Sequence, residues 1–245
     1  MSEALATALG AWAADPGPGP LAEAYAALLD GTVLLPVRAT VVGDERPQRT
    51  GLRAEAEAEL AVLTVTLDGG RQVLPAFSTA GAMRRWRIEA RPVQSSVRAA
   101  CRAALDEGWT GLVVDPGSHD FVLGPAAVRA FAEGFLPVAG DETVSVGTLA
   151  GADLLPASPP GAPASITAAL RRGLAREPAV AAAWLLRGQP DLQVGVALRV
   201  PLDPAGLATV AARLAGRLGA ASLSLAALDG STAEAAAQGC PRLWP

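Results

Sequence analysis

Asp115, Ser118, His119 and Asp120 are the one constellation in this chain whose residue types and closeness could do acid–base work. A histidine held by a carboxylate can act as a general base, and a nearby hydroxyl could accept its help as a nucleophile. The four residues, however, sit in a single Asp-Pro-Gly-Ser-His-Asp run. Contiguous residues of a Pro-Gly turn generally point apart into solvent, whereas catalytic sets converge from distant segments of a rigid scaffold. There is no Gly-x-Ser-x-Gly elbow to present a serine. The run therefore reads first as a solvated turn. A pocket near residues 115–121, with Asp115, His119 and Asp120 serving an enzyme or small-molecule binder, is the alternative.

The remaining reactive side chains are few. Cys101 falls on the apolar stripe of a helical segment and reads as a core thiol, while Cys240 lies near the tail beside Pro241. Two cysteines in a chain of 245 residues make neither a metal cluster nor a disulfide framework. All 20 basic residues are arginine, which rules out a Walker lysine, a Schiff-base lysine and a lysine-tuned nucleophile. A single histidine rules out His₂ and His₃ metal sites within the chain. Gly69-Gly70 lacks the strand–Gly-x-Gly-x-x-Gly–helix setting of a dinucleotide site. No catalytic residue, metal or cofactor is assigned.

Cationic charge is the most uneven feature. Between Arg84 and Arg102 stand six arginines (84, 85, 87, 91, 98 and 102) against one acid, Glu89, in a chain of net charge −4. Arginine pairs bidentately with carboxylate and phosphate, and with tryptophan it is enriched at interfaces. Arg84 and Arg85 precede Trp86, and Arg87 and Arg91 extend the patch along the next segment. These four are the candidate interaction residues. Two accounts compete: the arginines meet an acidic partner protein, or they balance Glu55, Glu57 and Glu59 of the same chain. A third role, nucleic-acid binding through the Arg84–Arg102 patch, is disfavoured by the net negative charge.

The elements that would position these residues follow from periodicity. Leu5, Leu9 and Trp12, then Leu21, Tyr25, Leu28 and Leu29, mark two short helices separated by a Pro-Gly run. Val33–Val37 is a strand in which Pro36 suggests an edge or a bulge. Leu60–Leu67 and Gln72–Phe77 form a hairpin, and Ser78 or Thr79 caps a helix through Trp86. Arg87–Val93 is extended. A helix from about Ser95 to Glu107 buries Val97, Cys101 and Leu105. Gly111–Asp115 and Phe121–Leu123 flank the turn, and Pro125 opens a helix to about Glu133. Residues 134–162 lose periodicity and read as a linker. Beyond it come a helix from Ser165, an alanine-rich stretch Val180–Leu186 that fits a strand or two helical turns, and an alternating strand through Val194, Val196, Leu198 and Val200. A helix capped by Asp203 with Leu207, Val210, Leu214 and Leu218 on one face follows, then a strand at Ala221–Ala226 and an irregular tail from Gly239. The reading is α+β (mixed α/β): two small domains, 1–133 and 163–245, each a mixed sheet packed with helices.

Several of these landmarks resemble the SseB family in order. They are Leu35-Pro36-Val37, the hairpin ending Leu74-Pro75-Ala76-Phe77-Ser78-Thr79, the Trp86 helix, Pro92-Val93, and Gly111–Gly117 before Phe121-Val-Leu123. The resemblance covers residues 20–133, and more loosely the family's C-terminal domain over 163–245, down to Cys240-Pro-Arg-Leu-Trp244. Ala76 and Asp115 depart from it, standing where the family more often has Val and Asn. It implies the fold and a bacterial, cytoplasmic origin, with a GC-rich actinobacterium fitting the Ala, Gly, Pro and Arg content, and it transfers no catalytic residue. No apolar run reaches the roughly 18–20 residues that span a bilayer, and Met1–Gly10 has no basic residue before its apolar stretch. The expected function is a non-catalytic intracellular protein-interaction or regulatory module. Its partner is expected to be a protein, and homo-oligomerisation is left open.

Overall fold

The computed structural model describes residues 3–41, 58–67, 70–151, 155–156, 158, 160–218 and 222–245. Helices α1 (Glu3–Ala14) and α2 (Pro18–Leu29) come first, followed by strand β1 (Thr32–Val41). Then come β2 (Ala58–Val62), β3 (Val65–Leu67), β4 (Arg71–Ala76), α3 (Ala80–Trp86), β5 (Arg91–Ser96) and α4 (Val97–Asp106). The first half closes with β6 (Leu112–Val114), β7 (Phe121–Leu123) and α5 (Pro125–Glu133).

The strands lie in two ladders, β2-β1-β5 and β3-β4-β6-β7. A bridge at Leu34–Phe77 joins them, each residue donating its backbone N–H to the other's carbonyl, at 2.8 and 2.9 Å. One face packs on α1, α2, α4 and α5 through Leu5, Leu9, Leu28, Leu74, Val97, Cys101, Leu112, Phe121 and Phe131. Trp12 and Tyr25 meet Phe121 edge-on, which pins both leading helices to that core. The opposite face carries a smaller cluster, Phe77, Ala82, Met83 and Ala90, which seats α3.

β1 corrects the edge expectation drawn from Pro36, because the strand is paired on both sides. Pro36 is tolerated there for a local reason. Its missing N–H falls where β1 changes neighbour from Phe77 to Leu63, whose N–H donates to the Pro36 carbonyl at 3.0 Å. The α4 stripe is likewise shifted: Val97, Ala100, Cys101 and Ala104 are buried, but Leu105 is 38% exposed.

The second half begins inside the expected linker. β8 (Leu136–Val138) and β9 (Asp141–Leu149) are followed by α6 (Ala164–Leu174), β10 (Val180–Arg187), β11 (Asp191–Leu198), α7 (Pro204–Ala215), β12 (Ser222–Leu228), α8 (Gly230–Gly239) and β13 (Arg242–Trp244). One sheet holds all six strands in the order β13-β10-β11-β12-β9-β8, with β11, β12 and β9 parallel. The linker reading therefore fails over 136–149, where Gly140, Asp141 and the Ser, Thr and Gly content read as loop although Val144, Val146 and the residues between them alternate as a strand does. α6 and α7 cover one face through Leu170, Leu174, Leu207, Val210 and Leu214. The other face, with Trp184, Leu186 and Ala226, packs on α8 and on Ala130 and Phe135 from the first half's end. Phe135 lies so close over Gly147 that a Cβ there would come within 2.7 Å of its ring.

Candidate interaction surface and the 115–120 turn

The turn after β6 is wound around the backbone of Asp115. Its carbonyl accepts N–H bonds from Ser118, His119 and Asp120 at 3.0, 3.0 and 3.2 Å, and Ser118 Oγ adds a fourth at 3.2 Å. Such winding needs left-handed backbone at Asp115 (φ 51°) and Asp120 (φ 48°). Aspartate tolerates that region better than most residues. The Asp115 side chain is 1% exposed and turns inward, taking the Ser78 N–H on Oδ1 at 2.8 Å and the Ser78 hydroxyl on Oδ2 at 2.5 Å. Asp120 bends back over its own turn to accept the Gly117 N–H at 2.8 Å, and His119 is half-buried beside it.

The three carboxylate and imidazole groups thus do not converge. Asp115 serves Ser78, Asp120 serves Gly117, and among the described residues neither carboxylate is hydrogen-bonded to His119. What the turn does is join two strand ends. β4 and β6 run parallel as neighbours, and the Asp115–Ser78 pair clasps their C-terminal ends where the chain leaves for α3. Ser78 was readable in the sequence as a helix cap, but Thr79 takes that role, its hydroxyl accepting the Ala82 N–H at 3.0 Å. Nothing local marked Ser78 as the aspartate's partner, 37 residues away.

The clasp and cap fix the start of α3, and its apolar residues fix the rest. Met83 is fully buried and Trp86 leans on Phe77 with ring centroids 5.3 Å apart. Past the helix, a turn from Arg87 to Ala90 carries Ile88 and Glu89 at its tip, and Ala90 returns to the small core. Arg84, Arg85, Arg87 and Arg91 are all exposed on this anchored segment. Arg87 lies over the Trp86 ring, 4.9 Å from its centroid, a cation–π contact that holds the guanidinium against the ring face. Ile88 is 84% exposed in the middle of the four arginines. An isoleucine placed this openly beside anchored cations was not singled out by periodicity, since it belongs to no repeating pattern.

Two of the six clustered arginines have other employment. Arg98 donates to the Glu133 carbonyl at 2.5 Å and Arg102 to that of Ala132 at 2.9 Å. They satisfy the last carbonyls of α5, where cations also oppose the helix dipole, beside Gly134 at φ 82°. Among the described residues the ion pairs are Arg187–Glu133 and Arg213–Glu177, and neither involves Arg84, Arg85, Arg87 or Arg91. The acids proposed to balance them cannot be placed against them: Glu55 and Glu57 lie outside the described residues, as does the side chain of Glu59. The Glu59 backbone pairs with Thr40, three positions along β1 from the Val37 that pairs with Arg91. That spacing sets the two backbones about 14 Å apart.

A model of the SseB protein N-terminal domain matches residues 5–130. The chain belongs to the SseB family. The match runs from α1 nearly to the end of α5, so the clasped turn and the arginine segment both lie inside the family's domain. Comparison with curated proteins and with solved structures found no match. Among the described residues no cluster of His, Cys, Asp or Glu could hold a metal ion, and no helix is long and apolar enough to cross a membrane.

Proposed function

We propose that this SseB-family chain is a non-catalytic protein-interaction or regulatory module that docks an acidic partner protein on the surface made by Arg84, Arg85, Arg87, Ile88 and Arg91. The observation that carries the reading is the pairing of four exposed cations, engaged in no ion pair among the described residues, with an 84% exposed isoleucine on a segment held rigid by Met83, Trp86 and Ala90. Clustered like charges repel at some cost in the free protein, and an acidic partner relieves it. Arginine beside a half-buried tryptophan is a composition that interface hot spots favour. The inward Asp115 and the dispersed His119 and Asp120 support this over an enzyme or small-molecule binder at the 115–121 turn. The net charge of −4 supports an acidic protein partner over nucleic acid.

We also assign residues 163–245 to the family's C-terminal domain and the protein to a bacterial cytoplasm, on the strength of the closing Cys-Pro-Arg-Leu-Trp run and the cysteine usage. The test is the double variant Arg84→Glu/Arg87→Glu. It should lose capture of the partner identified with the unaltered protein, while its melting temperature stays nearly unchanged. Continued capture, or unfolding of the variant, would refute the docking role.

A further inference from the structure

The arginine segment runs directly into an open sheet edge. Among the described residues β5 pairs with β1 on one side only, and its other side is the end of the ladder β2-β1-β5. Five of its six residues, Arg91 to Gln94 and Ser96, are exposed, and Val93 is 41% exposed. The direction of the backbone groups follows from the neighbouring strand. Leu34 spends its N–H and its carbonyl on Phe77, on the side of β1 away from β5. Leu34 and Gln94 are therefore a non-hydrogen-bonded pair of the antiparallel ladder, and the N–H and carbonyl of Gln94 face outward. Pro92, two residues earlier, offers an outward carbonyl and no donor. An edge of this kind accepts a short strand and resists indefinite pairing.

Resting on the docking role proposed above, we infer that the acidic partner binds as a short extended segment added to the β5 edge. Its backbone pairs with Gln94 and Pro92, its apolar side chains cover Val93 and Ile88, and its carboxylates meet Arg87 and Arg91. Strand addition accounts for features that a flat charged patch leaves unused. It gives the outward Gln94 groups a partner, and it places the arginines at one end of the added strand, where they select an acidic sequence. Occupancy by a second copy of this chain is disfavoured by its own matching charge at this edge, because two β5 edges would bring two arginine clusters together.

The inference is tested with the capped peptide Glu-Glu-Val-Glu-Glu-Val-Glu as probe, which carries valine and glutamate side by side on each strand face, in its plain form and with every backbone nitrogen methylated. The second form keeps the charge and cannot donate along a strand. Binding to the full chain is measured by fluorescence anisotropy. The plain peptide should bind, the methylated one at least tenfold more weakly. Gln94→Pro should weaken the plain peptide by a similar factor while leaving the circular-dichroism spectrum and melting temperature unchanged, since the N–H it deletes makes no bond to β1. If both the methylated peptide and Gln94→Pro leave binding intact while Arg84→Glu/Arg87→Glu abolishes it, the surface docks acids but not as a strand, and this inference is overturned with the docking role standing. If Arg84→Glu/Arg87→Glu also binds normally, the docking role falls with it. Failure of the plain peptide to bind the unaltered chain overturns the strand-addition inference alone.

Discussion

Replacing Asp115 separates a structural carboxylate from a catalytic one. In Asp115→Ala the Ser78 N–H and hydroxyl, both in a buried setting, lose their acceptor. Each orphaned donor costs about 1–3 kcal/mol, with the hydroxyl at the low end because it can rotate toward another acceptor. Alanine also sits less well than aspartate at a φ of 51°, by about 1 kcal/mol. The expected loss is about 3–4 kcal/mol. Asp115→Asn keeps the backbone preference and one carbonyl oxygen for the Ser78 N–H, and its amide can donate to the Ser78 hydroxyl, so the loss falls to about 1 kcal/mol. Ser78→Ala removes one of the two bonds and should cost about 1–2 kcal/mol, with a double variant less destabilised than the two single losses added. Urea unfolding followed by circular dichroism measures all four. The reasoning is refuted if Asp115→Ala costs under 1 kcal/mol, or if Asn is as damaging as Ala.

Three further outcomes follow from the same geometry. Burial pushes the Cys101 thiol up from 9.0 to about 12, whereas Cys240 is raised by a shallower burial. In the unfolded chain Cys101 ionises near 9, so the folded state binds the extra proton, and stability falls as pH rises from about 9 toward 12, by up to about 1.4 kcal/mol per pH unit. Unfolding free energies at pH 8 and 10 should show this slope, and Cys101→Ala should remove it. Arg213 holds the buried Glu177 carboxylate bidentately at 2.8 and 2.6 Å, and it is raised above its ordinary value chiefly by that hydrogen bond. Arg213→Ala leaves the carboxylate short of donors and should cost about 2 kcal/mol in the same denaturation assay. His119→Ala should leave partner capture intact, and complete loss of capture in a folded variant would restore the 115–121 turn as the functional centre.

The parts of the fold legible in the sequence were those with one apolar face. The α7 stripe of Leu207, Val210 and Leu214 is buried as its 3.6-residue spacing predicts, and Leu218, in the turn after the helix, is buried with it. β10 was ambiguous because it is covered on both faces, Ala183 and Leu185 on one and Trp184 and Leu186 on the other, which erases alternation. α8 was missed because only Thr232 and Ala236 are buried along it, so its start rests on the Asp229 cap and not on any stripe. β9 looks like linker in the sequence because the strand that completes it, β12, lies far along the chain; Ser145 meets Ser224 Oγ to Oγ at 2.8 Å across 79 residues. The site divided the same way. The arginine cluster was visible as composition, but the reassignment of Arg98 and Arg102 to the end of α5 needed the packing of α4 on α5.

The docking claim is most directly tested by titrating the ¹⁵N-labelled full chain with the acidic valine–glutamate peptide and mapping the amide shifts. The account predicts saturable changes concentrated at residues 84–96, fading as salt is raised because exposed charge pairs are screened. Shifts centred on residues 115–121, with 84–96 unmoved, would contradict it.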